Sequence, residues 1–314
     1  MSAVIVSWNT RDLLRACLES FAPEVQAGRA DVCVVDNASA DGSPEMVAEE
    51  FGWVDLLACE DNAGFGTAVN RGAARGSGRY VGVGNADIRL TGGALETLVA
   101  AGDADPGAGA IAPRLVLPDG TTQHSVFAFP TIPFTLGANL GAAHVSKGWG
   151  DRHAIIGAWD TERERRVPWA IAAFVLVRRD AWEQLGGFDE HQWMYAEDLD
   201  IGWRLHRAGY ATRYVPSARV HHESSASTDQ AWGDGKTARW QRSTYAWMLR
   251  RLGGPRTRAA AAINVAGCLV RYAFLAPAAR VAPQRFAAAR DSMRWWASVH
   301  RQGLEPARAL EEHR

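Results

Sequence analysis

The first third of the chain alternates between short apolar runs and stretches with helical spacing. Ala3-Val4-Ile5-Val6-Ser7 and Asp31-Val32-Cys33-Val34-Val35 are compact apolar runs of strand length, the pattern of strands covered on both faces. Between them Leu14, Cys17, Leu18 and Phe21 recur at helical intervals behind Asn9 or Thr10, either of which can cap a helix. A loop from Asp36 to Ser43 leads into Pro44, a residue suited to a first helical turn. A weaker strand is predicted around Val54–Ala58, and a helix runs from the turn Asn62-Ala63-Gly64-Phe65-Gly66 to about Arg75. Tyr80–Gly84 is the next strand. This β-α-β-α order predicts a parallel sheet with right-handed crossovers, whose ligands sit beyond the carboxyl ends of the strands. Asp36, Asn62 and Asp87 each follow such an end.

The pattern then changes. Asp119 to Arg166 is irregular and reads as a long excursion, of a length that is usually functional or disordered. Val167–Val177 is strand-like, Asp180–Leu185 helical, and Asp198–Ala208 helical with Gly209 as its stop. Beyond Ala231 the chain is rich in Ala, Arg and Trp and reads as all helical. Two regions are therefore expected, an α/β domain over 1–230 and a helical extension over 231–314.

Composition supports that division. The 314 residues, 47% hydrophobic and 22% charged, suffice for one large α/β domain and an appendage. A net charge of −1 hides an asymmetry: residues 231–314 hold 15 Lys+Arg against 5 Asp+Glu, the rest 19 against 30. Arg239, Arg242, Arg250, Arg251, Arg256 and Arg258 interleave with Trp240, Trp247 and Leu249. That mix suits a helix lying on an anionic membrane surface, and equally a helical subdomain that buries its tryptophans on the body or on a second subunit. Within this basic region the longest uncharged stretch, Ala259 to Val270, is 12 residues, short of the ~20 needed to cross a bilayer. No recognition motif supports nucleic acid as the partner of the basic tail. Four separated cysteines without a CxxC pair suggest reduced thiols and no zinc site. No basic leader with a cleavage site precedes the first strand, so a cytoplasmic protein is expected.

Three stretches carry candidate chemistry. Gly64-Phe65-Gly66 invites a dinucleotide reading, but the third glycine of that fingerprint falls at Val69 and the turn does not close the first βα unit. Glu197, Asp198 and Asp200 stand directly ahead of a helix, where carboxylates also simply favour the helix dipole. Val220-His221-His222-Glu223 lies past a predicted strand at Tyr214-Val215-Pro216. If Asp87, the acidic cluster and a histidine converge, they suit a hard divalent ion such as Mg²⁺ or Mn²⁺, whose other places a phosphate and water would fill.

Four segments in order resemble the family 2 glycosyltransferases, and most closely their rhamnosyltransferase-like branch: VIVSWNTRDLLRACLESF from Val4, VVDNASADGS from Val34, DNAGFGTAVNRGAARGSGRYVGVGNADI from Asp61, and GGFDEHQWMYAEDLDIGWRLHRAGYATRYVPSARVHH from Gly186. The resemblance implies an α/β GT-A fold, a Rossmann-like, mostly parallel sheet, and an inverting transfer of a sugar, such as the deoxyhexose rhamnose, from a nucleoside-diphosphate donor. The acceptor would be a hydroxyl of a glycan, a lipid-linked glycan or a small natural product. It also implies roles. Ser7, Asn9 and Asp36 would surround the base and ribose, with Asp36 accepting the base imide N–H. Asn62 and Asn70 would approach the ribose or diphosphate. Asn85-Ala86-Asp87 takes the place of the DxD motif, so Asp87 would bind Mn²⁺ or Mg²⁺ together with His222, read from the spacing to Ala226, or His221 in the adjacent register. Asp198 of the Glu197-Asp198 catalytic pair would be the base, and Arg204 would assist the leaving diphosphate. The chain departs from the pattern at Asn85, where many relatives carry Asp, and at Ala172, whose methyl replaces a glycine and would narrow the donor-sugar or acceptor pocket. A nucleotide-sugar hydrolase, in which Asp198 activates water, and a binding module without catalysis are the alternatives. The intact Glu197-Asp198 pair argues against the second.

Overall fold

The structure is a computed structural model that describes residues 1–223 and 235–305. Ala226, which sets the register of the histidine reading, and the expected boundary at 230/231 lie outside the described residues. The chain divides into two compact units: Met1–Ala128 with Asp160–Gly233, and Phe129–Trp159 with Asp234–Arg314.

The first unit begins as the apolar pattern predicts: β1 (Ser2–Ser7), α1 (Arg11–Gln26), β2 (Asp31–Asp36), α2 (Ser43–Glu50), β3 (Asp55–Ala58), α3 (Phe65–Ala73) and β4 (Tyr80–Asn85). Leu14, Cys17, Leu18 and Phe21 of α1 are among the residues it buries. They pack with Ile5, Val34, Met46 and Leu176 in one core cluster, where Phe21 meets Phe174 edge-to-face with centroids 6.1 Å apart. Each such large side chain, fully buried, contributes about 1.5–3 kcal/mol. The run continues with β5 (Ile88–Leu90), α4 (Ala94–Ala104), β6 (Ala108–Val116) and β7 (Val126–Phe127).

Within the second unit, Phe129–Trp159 is not structureless: it carries α5 (Ile132–Asn139), α6 (Ala142–Val145) and α7 (Lys147–Arg152). Back in the first unit, the strand-like stretch after Glu164 is three strands, β8 (Arg165–Val167), β9 (Trp169–Ala170) and β10 (Phe174–Arg178). Pro168, which has no N–H to give a ladder, separates the first two. Then follow α8 (Arg179–Leu185), α9 (Glu197–Arg207) and β11 (Ala211–His222). Pro216 sits where the β11–β6 register shifts between Val215 and Arg219, a place where a missing N–H is tolerated.

The main sheet has nine strands, in the order β3-β2-β1-β4-β10-β6-β11-β5, with β8 paired to β11. β1 to β4 are mutually parallel, as the β-α-β-α order requires. β10 enters antiparallel between β4 and β6, and β6 pairs parallel with β11. Inserting one antiparallel strand leaves the carboxyl ends of β1, β2, β4 and β11 on one edge.

The second unit is completed by α10 (Lys236–Leu252), α11 (Gly254–Val281) and α12 (Pro283–His300). Asn139 of α5 donates to Asn264 at 2.7 Å, and Arg271 of α11 donates to the Asn139 carbonyl at 2.9 Å. Tyr245 and Trp247 of α10 are fully buried. By length and composition α11 is long and apolar enough to cross a membrane. The 12-residue uncharged run understated this, because Arg271 interrupts an apolar helix without ending it.

Candidate active site

The nucleotide end is built from the edges of β1 and β2. Ser7 and Asp36 are register partners. Ser7 Oγ lies 3.1 Å from Thr10 Oγ1, so its hydroxyl fixes the turn after β1. Asn9 adopts φ +52° and Ala38 φ +62°, left-handed conformations that cost a residue with a side chain about 1–2 kcal/mol. The two strained turns are stitched together. Asn9 Oδ1 accepts from the Ala40 N–H at 2.8 Å, and the Asn9 N–H donates to Ser39 Oγ at 2.8 Å. Asp36 is 1% exposed. Its Oδ2 accepts the Ser39 N–H at 2.8 Å, while its Oδ1 is buried with no hydrogen-bond partner. Burial raises this carboxyl above its ordinary range, with the Ser39 hydrogen bonds opposing. A buried acceptor left unmet costs about 1–3 kcal/mol, which an incoming N–H would recover. Asn37, which sequence reasoning passed over, is in the same position: it donates to the Gly64 carbonyl at 3.3 Å and its Oδ1 has no partner.

The glycine-rich turn is held open by the segment that precedes α9. Asn62 Oδ1 accepts from the Gly64 N–H at 3.0 Å, so its carbonyl oxygen shapes the turn itself. The Trp193 indole N–H donates to the Asn62 carbonyl at 3.2 Å, and the Phe65 N–H to the Trp193 carbonyl at 3.1 Å. Gly64 has φ +85°, and a Cβ there would lie 2.2 Å from the Trp193 oxygen. Only glycine fits.

The triplet Asn85-Ala86-Asp87 turns at the end of β4 into β5. Its backbone is pinned on both sides, with Asn85 N–H to Ala173 O at 3.0 Å and Ala86 N–H to Val6 O at 3.1 Å. β5 then pairs antiparallel with the end of β11, Ile88 opposite His222, and Glu223 N–H bonds the Asp87 carbonyl at 2.9 Å. Strand alternation decides between the two histidines. His222 is buried and reaches Asp87, its Nε2 3.2 Å from Asp87 Oδ1, while His221 is half-buried on the other face. The approach lacks hydrogen-bond alignment, since both atoms are buried without a hydrogen-bond partner. On the far side of the ring, Nδ1 lies 2.6 Å from Gln123 Oε1. A carboxylate oxygen and an imidazole nitrogen facing one point, with no hydrogen aligned between them, suit a divalent ion such as Mn²⁺. Among the described residues no group of three or more His, Cys, Asp or Glu could hold a metal. The pair would thus bind an ion whose remaining places are filled by other oxygens. Asn85 is uncharged, so Asp87 is the triplet's single acid.

The acid pair opens α9. Tyr195 and Ala196, at φ +63° and +66°, are consecutive left-handed residues that aim the first helical turn. Glu197 is buried, with Oε2 unpartnered. Burial, and then the neighbouring Asp198 charge, raise its carboxyl well above the ordinary range. Asp198 is partly exposed in dense surroundings and is raised to about 6 by burial, opposed by N–H donors from Leu199 and Ala172. The Ala172 contact ties Asp198 to the 172–173 segment that also holds Asn85, which brings the acid pair to the triplet's side of the sheet edge.

Two of the expected ligands hold a neighbouring turn. Asn70 accepts from the Phe188 N–H at 2.9 Å and donates to the Phe188 carbonyl at 3.0 Å and to Glu190 at 2.9 Å. Arg204 binds Asp200 at 2.6 Å and the carbonyls of Leu185 and Gly187 at 2.8 and 2.6 Å. Both side chains clamp the Gly186-Gly187 turn. Asp200, fully buried against Arg204, is the structural member of the acidic cluster.

A mixed sheet whose strand edge carries an acid–histidine pair, with buried Glu197 and half-buried Asp198 opening α9, has the frame of a nucleotide-sugar transferase of the GT-A type. The chain matches the families described as "Glycosyl transferase family 2" over residues 2–149 and "Glycosyl transferase family group 2" over residues 123–300. Over 240 residues it is 35% identical to the N-acetylglucosaminyl-diphospho-decaprenol L-rhamnosyltransferase of Mycobacterium tuberculosis (strain CDC 1551 / Oshkosh), covering 71% of this chain and 76% of that one. Its fold is similar to the mannosyltransferase PcManGT from Pyrobaculum calidifontis in complex with GDP-Man and Mn²⁺ (TM-score 0.62, 20% identity, 98% of this chain and 85% of that one). It is also similar to GalNAc-T7 with UDP, GalNAc and Mn²⁺ (TM-score 0.55, 16% identity, 77% of this chain and 50% of that one). The chain belongs to the family 2 glycosyltransferases, and within them to the rhamnosyltransferase-like branch.

Proposed function

We propose that this glycosyltransferase moves a deoxyhexose of the rhamnose type from a nucleoside diphosphate to a hydroxyl of a lipid-linked glycan, with inversion and with the help of Mn²⁺ or Mg²⁺. The observation that carries the metal-assisted reading is the Asp87–His222 pair, two buried polar atoms 3.2 Å apart that have no hydrogen-bond partner. A bound divalent ion supplies Lewis-acid stabilisation of the charge that develops on the leaving diphosphate. Asp36 Oδ1 receives the imide N–H of the base, and Ser7 and Asn9 hold the turns around it. Asp198, ionised above its raised pKa, takes the proton of the attacking acceptor hydroxyl from the side opposite the diphosphate, so the anomeric carbon inverts. Burial, and then the Asp198 charge, disfavour the ionised form of Glu197 beside it. Sugar and acceptor are supported by the mycobacterial relative, whose name specifies L-rhamnosyl transfer to N-acetylglucosaminyl-diphospho-decaprenol. Manganese is supported by its presence in the two similar structures.

A lipid-linked acceptor places the enzyme at the inner face of the plasma membrane, held there peripherally by residues 231–314. Val270, Phe274, Pro277 and Val281 form one stripe along α11, and all four are exposed. Arg280 and Arg285 are exposed beside the end of that stripe.

Calorimetry of the full-length chain with nucleoside diphosphates and their sugars, with and without Mn²⁺, tests the site. Binding is expected to tighten with Mn²⁺, and Asp87→Asn to lose only the Mn²⁺-dependent gain. No binding of any nucleotide would refute the donor site. Release of free sugar without acceptor, as fast as transfer with it, would favour the hydrolase.

A further inference from the structure

We infer that Gln123 is a positioning residue that fixes the ring orientation and tautomer of His222 for metal ligation, an inference that rests on the metal reading above. Gln123 lies just past β6, where the chain folds back on that strand. Its N–H donates to the Leu115 carbonyl at 2.9 Å, and Thr122 bridges to Val116. β11 lies beside this end of β6, with His221 opposite Val116, so the anchored Gln123 backbone brings its side chain to the next residue, His222. Gln123 Oε1 stands 2.6 Å from His222 Nδ1. An amide oxygen only accepts, so Nδ1 carries the ring hydrogen and Nε2 presents a lone pair. That lone pair points into the buried space shared with Asp87 Oδ1.

Without the amide the ring has a simpler arrangement. Released from Gln123, the ring would be free to turn, and a hydrogen moved to Nε2 would then bond Asp87, which consumes both ligand atoms. Gln123 works against this collapse. It holds two acceptors face to face, an arrangement that a cation relieves, and partners of this kind on a ligating histidine are worth ~10–100-fold in metal affinity. Gln123 touches no reacting atom; it acts through His222.

The experiment uses the full chain, ¹⁵N-labelled on histidine, with Gln123→Met and Gln123→Glu. Methionine keeps the length and loses the acceptor; glutamate keeps the acceptor. In metal-free protein at alkaline pH, imidazole ¹⁵N spectra should report the Nδ1–H tautomer at His222 in the wild type and in Gln123→Glu, and the Nε2–H tautomer in Gln123→Met. Mn²⁺ affinity in the presence of a nucleoside diphosphate, read by electron paramagnetic resonance, should fall ~10–100-fold in Gln123→Met and hold in Gln123→Glu. Nucleotide affinity in EDTA should be equal in all three. A Gln123→Met protein with the wild-type tautomer and Mn²⁺ affinity overturns the inference, as does equal loss in both variants. A wild type that takes no Mn²⁺ with nucleotide overturns the metal reading itself, and the ligand role of His222 with it.

Discussion

The base role proposed for Asp198 depends on where its carboxyl is held. A carboxyl in water gives up its proton too readily to be an effective base at neutral pH, and burial corrects this by raising it to about 6. Turnover should therefore fall as pH drops through that value, where the base becomes protonated, and level off above it. Asp198→Asn should lower turnover by about 10²–10⁴-fold with donor affinity retained, because it removes the proton acceptor and not the nucleotide contacts. Glu197 makes a separate stability statement. Its folded pKa lies above the unfolded value, so its contribution to stability is fully present below the unfolded pKa and is lost as pH rises toward the folded one. Glu197→Gln does not titrate. Its melting temperature relative to wild type should rise from acid to alkaline pH, and a constant difference would contradict the burial argument. Asp36 and Asp87 stood out in the sequence because each follows a strand end, whereas Asp198 and His222 were singled out from their acidic and histidine clusters by the family resemblance. The resemblance also named Asn70 and Arg204, whose partners, Phe188 and Asp200 among them, lie too far along the chain or too deep in the fold for sequence spacing to show. Asn37 and Gln123 escaped because a lone amide in a polar loop carries no spacing signal.

At the scale of elements, the site depends on two loops that are far apart in sequence and bound to each other, the glycine-rich turn before α3 and the segment from Trp193 to Ala196 that aims α9. Gly64 lies against the Trp193 backbone. Gly64→Ala should unfold at lower urea than wild type by more than the strain of its φ +85° alone, because its methyl would sit 2.2 Å from the Trp193 oxygen and 2.8 Å from that residue's ring. Gly28→Ala is the comparison: at φ +67° with nothing within 4 Å it carries conformational strain only, about 1–2 kcal/mol. Equal losses in the two variants would show that the loops are not stitched through Gly64. The parallel half of the sheet was readable from alternating apolar runs. The antiparallel entry of β10 was not, since Val167–Val177 reads as one strand until Pro168 and the 171–173 turn divide it. The 119–166 excursion looked irregular because α5, α6 and α7 are each eight residues or shorter, too short for a helical period to stand out.

At the scale of the whole molecule, the opposed charges of the two halves of the sequence acquire a purpose once the acceptor is taken to be lipid-linked. An acidic transferase body would be repelled by an anionic bilayer, and residues 231–314 carry 15 Lys+Arg against 5 Asp+Glu to offset it. Charge brings a protein to a surface; apolar area keeps it there. Phe274 is 80% exposed and Val281 88%, an expensive arrangement for a helix bathed in water. The second unit adds Leu140, 73% exposed at the end of α5, and Val145, 87% exposed at the end of α6. The full chain should therefore co-sediment with anionic vesicles, less so as salt rises, and only weakly with neutral ones. Phe274→Asp should reduce that binding at every salt concentration, while donor affinity stays at the wild-type value because Phe274 belongs to the other unit. Vesicle binding that survives Phe274→Asp unchanged would leave charge as the sole contact. No binding to anionic vesicles at low salt would turn the α11 stripe into a face for protein instead of lipid.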